Sequence, residues 1–219
     1  TLPVVAYAQS EPETLRRVFR QGLRLSTAIS YPFFIGAAVA APVFVPLFFG
    51  PDWSNSILTV QLMMLMGVRS ATASFTGAVI RGAGRPASQA ALTALGLVLA
   101  LVSLPLVARF GLPAIVGALL AKGLITWVVG AFVLKQIIGY SVSGQLTVGW
   151  PSLAASALMW AAAVAALQML GGHASPWLTL LAVAGVGAFA YALALALIAP
   201  ALTSRFLGIL NRLLRKSPA

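Results

Sequence analysis

The chain has no cysteine and a single histidine, His173, and its acids are only Glu11, Glu13 and Asp52. Without thiols there is no disulfide framework and no thiolate nucleophile, and a solitary histidine leaves no cluster to hold a metal. Acid–base or nucleophilic catalysis needs an acid, a base or an activated nucleophile. The long apolar stretches contain no Asp, Glu, His or Cys, so no catalytic residue is assigned and an enzyme is not expected. His173 follows two glycines and reads as a solvated turn residue. Gly82-Ala83-Gly84 fits no phosphate-cradling G-x-x-x-x-G-K loop, and no cofactor is expected.

What the chain does have is apolar length. With 60% hydrophobic and 8% charged residues it belongs to the membrane class. Six stretches, at 25–49, 56–79, 87–107, 112–134, 152–170 and 177–199, each approach the ~20 residues a helix needs to cross the hydrocarbon. The expected fold is an all-α polytopic bundle of about six transmembrane helices.

Basic residues collect in every second gap. Arg16, Arg17, Arg20 and Arg24 precede the first stretch, Arg81 and Arg85 separate the second and third, Lys135 follows the fourth, and Arg205, Arg212, Arg215 and Lys216 follow the sixth. The opposite gaps hold Arg109 alone. The positive-inside rule then places both ends of this segment in the cytoplasm. In a soluble protein a net charge of +11 would point to nucleic acid; here most of it forms a cytoplasmic collar attractive to anionic lipid, so membrane lipids, not nucleic acid, are the expected partners.

The chain opens on an apolar run, Leu2 to Ala8, that lacks the basic flank of a signal peptide. It reads as the end of a preceding membrane helix, which makes the chain a piece of something longer. Residues 1–24 form an amphipathic cytoplasmic lead-in, with Leu15, Val18, Phe19 and Leu23 along one side and Arg16, Arg20 and Arg24 along another. A basic amphipathic tail at 200–219 repeats the design. Both read as interfacial anchors. Between them lie a four-helix group (25–134), a Gly- and Ser-rich cytoplasmic connection with hinge potential (135–151) and a blander two-helix group (152–199). The short outer turns force antiparallel neighbours. Pro32, Pro42 and Pro46 inside the first stretch are candidate kinks.

Arg69 and Lys122 are the cations that the alternation leaves over, each near the middle of an apolar stretch. A central Arg or Lys costs ~2.5–3.5 kcal/mol on insertion scales and calls for water, a counter-charge or snorkelling to an end. No acid lies in these stretches. Arg69 and Lys122 are therefore the candidate substrate-binding residues, facing a cavity and an anion. Ser70, Thr72, Ser74 and Thr76 put hydroxyls near Arg69. Gly36 with Ala40, and Gly123 with Gly130, have the spacing of helix-contact faces.

The run PFFIGAAVAAPVFVPLFFGPDW from Pro32 to Trp53, the turn RGAGRPASQ around Gly84 and Arg85, and the lead-in LPVVAYAQSEPETLRR resemble the C-terminal half of the polysaccharide-biosynthesis flippases. These are Wzx-like O-antigen and exopolysaccharide transporters of the multidrug/oligosaccharidyl-lipid/polysaccharide exporter superfamily. The resemblance extends over residues 1–140, and the last two stretches match only in kind. It implies a two-lobed bundle around a central cavity in the bacterial inner membrane, of which this chain supplies the second lobe and terminal helices. It further implies movement of a polyprenyl-diphosphate-linked oligosaccharide by alternating access, for lipopolysaccharide or other polysaccharide biosynthesis, with a separate N-terminal lobe as partner. It assigns no catalytic residues. Three other readings stay open: a MATE-type drug or ion antiporter, which needs a membrane-embedded carboxylate; a membrane glycosyl- or acyltransferase, for which Asp52 and His173 are the only outer candidates; and a non-catalytic scaffold.

Overall fold

The computed structural model describes residues 12–200. The expected helix end at 1–8 and, but for Pro200, the basic tail at 200–219 lie outside the described residues. Helices α1 (Pro12–Phe49), α2 (Ile57–Gly82), α3 (Pro86–Val107), α4 (Leu112–Ile138), α5 (Val142–Leu170) and α6 (Pro176–Ile198) follow one another, with short 3-10 turns at Pro51–Ser56 and Ala108–Phe110. All six are long and apolar enough to cross a membrane, and the described residues contain no strand. The all-α membrane bundle expected from the sequence is the fold observed.

The helices pair as hairpins across short turns: α1 on α2, α3 on α4, α5 on α6. α1 is the central strut, packed on α2, α5 and α6, while α2 carries α4 and α4 carries α3. α3 lies at the edge of the described bundle: none of its residues is buried, and its Leu101 and Leu106 are 65% exposed.

Two local expectations change. The basic lead-in is not a separate interfacial helix: α1 runs unbroken from Pro12 through the first span, 38 residues or about 57 Å at 1.5 Å per residue. Its Leu15, Phe19 and Leu23 are buried with Val79, Ile80, Leu134, Ile138 and Val148, so protein, not lipid, covers the apolar stripe. Arg16 Nε donates to the Ile138 carbonyl, and its guanidinium also pairs with Glu13 at 2.7 Å. A cation is thereby set on the negative end of α4, among carbonyls that lack helical partners.

The second change is at 135–151, where only Gly139–Ser141 is non-helical. Gly139 ends α4 in the left-handed conformation (φ 64°), and Ser141 starts α5 by accepting from the Gly144 N–H at 3.0 Å. Gln145 Nε2 then donates to the Ala131 and Tyr140 carbonyls at 3.1 and 3.3 Å. A residue pair with strong stop and start chemistry thus replaces the long hinge that Gly and Ser content implied.

Pro32, Pro42 and Pro46 all lie inside α1, which continues through them. A helical proline leaves the carbonyl four residues earlier without its donor. For Pro32 that carbonyl is Ala28, which accepts from Tyr191 Oη of α6 at 2.7 Å; for Pro42 it is Ala38, which accepts from Gln61 Nε2 of α2 at 3.1 Å. The carbonyls freed by Pro32 and Pro42 therefore stitch α1 to α6 and α2. Tyr191→Phe and Gln61→Leu should each destabilise the protein by about 1 kcal/mol, nearly additively because the sites are far apart. Thermal melting in detergent checks this, and two neutral variants would dismiss the stitches as incidental.

Candidate functional site

α2, α3 and α4 each present a stripe of polar and small residues at helical spacing, and the three stripes converge. Arg69, Ala73, Thr76 and Gly77 from α2, Gln89, Leu92, Thr93, Gly96, Leu97 and Ala100 from α3, and Lys122, Thr126, Trp127 and Gly130 from α4 line a cavity of about 420 Å³. A second recess of about 330 Å³ shares Arg69, Ala73, Gly77 and Gln89 with it and adds Ser70, Ser74 and Arg81.

Arg69 and Lys122, singled out separately in the sequence, line the same cavity. Twelve residues separate Arg69 from the first residue of α2 and thirteen from the last, placing it roughly 18–20 Å from either end. Lys122 lies about 15 Å from the start of α4, ten residues in. Arg69 Nε is buried with no hydrogen-bond partner. No acid lines either recess. Among the described residues the ion pair is Glu13 with Arg16, at the far end of the helices.

Gly123 and Gly130 of α4 divide in role. At Gly130 a Cβ would meet Thr76 and Leu92 at 3.5 and 3.7 Å, an ordinary contact face. At Gly123 a Cβ would fall 2.6 Å from Arg69 Nε, so the missing side chain is the space the guanidinium stem occupies. The same contacts give the register: Arg69 opposite Gly123, Gly96 opposite Thr126, and Gln89 with Arg81 over Gly77, nearest the α2–α3 turn.

The hydroxyls near Arg69 are already committed as donors. Ser70, Thr72, Ser74 and Thr76 bond to the carbonyls of Met66, Arg69, Ser70 and Thr72 at 2.8–3.2 Å. Thr93 donates to the Gln89 carbonyl, and Thr126 to those of Lys122 and Gly123. Of the four hydroxyls picked out on α2, Thr72 lines neither recess. Gln89, Thr93 and Thr126 were missed, although Gln89–Thr93–Gly96–Ala100 and Lys122–Thr126–Gly130 carry the helical spacing that would have found them.

The remaining sequence candidates lie elsewhere. Pro32 borders an apolar groove of about 610 Å³ formed by α1, α5 and α6, lined also by Gly36 and Ala40, whereas Pro42 and Pro46 line neither this groove nor the polar cavity. Asp52 is exposed in the 3-10 turn after α1, and His173 is exposed in the turn after α5. Among the described residues no three His, Cys, Asp or Glu side chains gather as a metal site.

A family model described as "Polysaccharide biosynthesis protein" matches residues 1–58, which end before the cavity begins. The chain is also similar to the "Lipopolysaccharide biosynthesis protein WzxC" of Escherichia coli (strain K12), at 30% identity over 83 residues. That match covers 38% of this chain and only 17% of the relative, so the chain spans a small part of that protein's length. No solved structure matches. Over the stretches they cover, and with six membrane-length helices behind them, the two matches agree with the resemblance to Wzx-like polysaccharide-biosynthesis proteins.

Proposed function

We propose that this chain is one lobe of an inner-membrane flippase that moves a polyprenyl-diphosphate-linked oligosaccharide toward the outer leaflet by alternating access, in lipopolysaccharide or other polysaccharide biosynthesis. The observation that carries the reading is the pairing of Arg69 and Lys122 in one acid-free cavity, with Arg69 Nε buried and unpartnered. Two uncompensated cations at membrane depth are costly, and a diphosphate is the anion that repays both while its lipid tail stays in the bilayer. The names of the matched family and relative supply the polysaccharide context. The basic collar supports cytoplasmic ends for this segment. An N-terminal lobe of the same protein completes the cavity in this reading, and the cations hold the substrate without bond-breaking chemistry.

The test is reconstitution of the full-length protein in proteoliposomes with a fluorescent lipid-linked oligosaccharide, with ion gradients varied. Protein-dependent movement of the label between leaflets is the expected result. Export of a lipophilic cation down an ion gradient, without movement of the lipid-linked sugar, would overturn the reading in favour of an antiporter.

A further inference from the structure

The two recesses share Arg69 and Gln89 but differ in the polar groups each adds, Lys122 in one and Ser70, Ser74 and Arg81 in the other, and that difference orders a ligand along them. At the level of Arg69 and Lys122 the free groups are donors: a buried guanidinium N–H without a partner and an ammonium. Toward the α2–α3 turn the balance changes. Gln89 Oε1 is buried and unpartnered, an acceptor awaiting a proton. Ser70 and Ser74, having donated to the Met66 and Ser70 carbonyls at 3.1 and 2.9 Å, offer only lone pairs to the recess they line. Arg81 Nη1 completes the set: Gln89 Oε1 and Arg81 Nη1 lie 3.2 and 3.4 Å from the point where a Gly77 Cβ would stand, so both border the space that glycine leaves.

An ionised phosphate brings no proton, so it could meet the arginines here but would leave the Gln89 and serine oxygens unsatisfied. A hydroxyl group satisfies both sides, since its oxygen accepts from Arg81 while its hydrogen goes to Gln89 or a serine. We propose that Gln89, Arg81 and Ser74 form a polyol subsite that takes sugar hydroxyls next to the diphosphate, one station nearer the α2–α3 turn than Arg69 and Lys122. The assignment rests on the transport reading above and adds to it residues that set glycan preference. It also fixes an order, with the diphosphate in mid-membrane and the first sugars toward the turn. Trp127, five residues beyond Lys122 in the same direction, lines the shared cavity as an apolar wall for a sugar ring.

The experiment compares two ligands on one full-length protein: a polyprenyl-diphosphate-linked oligosaccharide and the same polyprenyl diphosphate without sugar. Gln89→Leu, and separately Ser74→Ala, should weaken binding of the sugar-bearing lipid about 3- to 10-fold, the worth of a neutral hydrogen bond, and leave the sugar-free lipid unchanged. Gln89 Oε1 has no partner to lose, so the melting temperature should stay at the wild-type value. Equal weakening of both lipids, or of neither, overturns the subsite while the transport reading stands. If wild-type protein binds neither lipid, the transport reading fails and the subsite with it. Phosphatidylglycerol vesicles also offer hydroxyls beside a phosphate; competition by them that disappears in Gln89→Leu would reassign the recess to a membrane headgroup and overturn the glycan assignment.

Discussion

Export of the lipid-linked glycan by full-length protein carrying Arg69→Ala is expected to fall about 10- to 100-fold, with membrane insertion and abundance unchanged. The magnitude is that of a hydrogen bond to a charged group, about 1.5–3 kcal/mol, at roughly 1.4 kcal/mol per factor of ten. Folding should survive because Arg69 Nε has no partner within the protein, and removing an unpaired cation relieves a desolvation cost. Lys122→Ala should act in the same direction. The double variant should lose less than the product of the two, since both cations face one cavity and would meet one anion. Gly123→Val reaches the same end without changing charge: the new side chain enters the space of the Arg69 stem and pushes a flexible group aside. In vitro flipping, read alongside membrane abundance, checks all four variants. Unchanged flipping in both single alanine variants would remove the substrate-contact role from Arg69 and Lys122.

The largest stability effect is expected near the start of α1. Phe19 is 1% exposed, packed edge-to-face on Tyr140 with ring centroids 5.8 Å apart, and surrounded by residues of α2, α4 and α5. Phe19→Ala should therefore cost about 3–5 kcal/mol, the range for a large core side chain cut to methyl. Ile29, 54% exposed ten residues further along the same helix, is the control, and Ile29→Ala should change little. Melting in detergent separates the cases. Were the lead-in an interfacial anchor resting on lipid, Phe19→Ala would weaken membrane attachment and leave the melting point where it is.

These two sites show what could be read in advance and what could not. Six spans and their hairpin pairing were legible because bilayer thickness and short turns impose length and direction on a chain whatever its neighbours. The stripe of Leu15, Phe19 and Leu23 was equally plain, but a stripe announces only that it must be covered; that α2, α4 and α5 cover it, and not lipid, is a fact of packing. At 135–151 the Gly and Ser content suggested a hinge, whereas two specific residues, the left-handed Gly139 and the capping Ser141, confine the break to three residues. The proline-freed carbonyls of Ala28 and Ala38 could be foretold from Pro32 and Pro42, whereas their donors, Tyr191 and Gln61, lie 163 and 23 positions away.

The cavity divides in the same way. Composition alone made this an all-helical membrane chain and, by charge count, left Arg69 and Lys122 unaccounted for, because transfer of each side chain into hydrocarbon has a cost that depends on its chemistry and depth and not on its neighbours. That the two line one cavity, that Gly123 makes room for one of them, and that Gln89 and Arg81 border one recess at Gly77, follow from α2, α3 and α4 converging, with α2 and α4 adjacent in space but separated in the chain by a whole helix. A cavity is a property of the surfaces between helices, and each helix's own sequence describes only one wall.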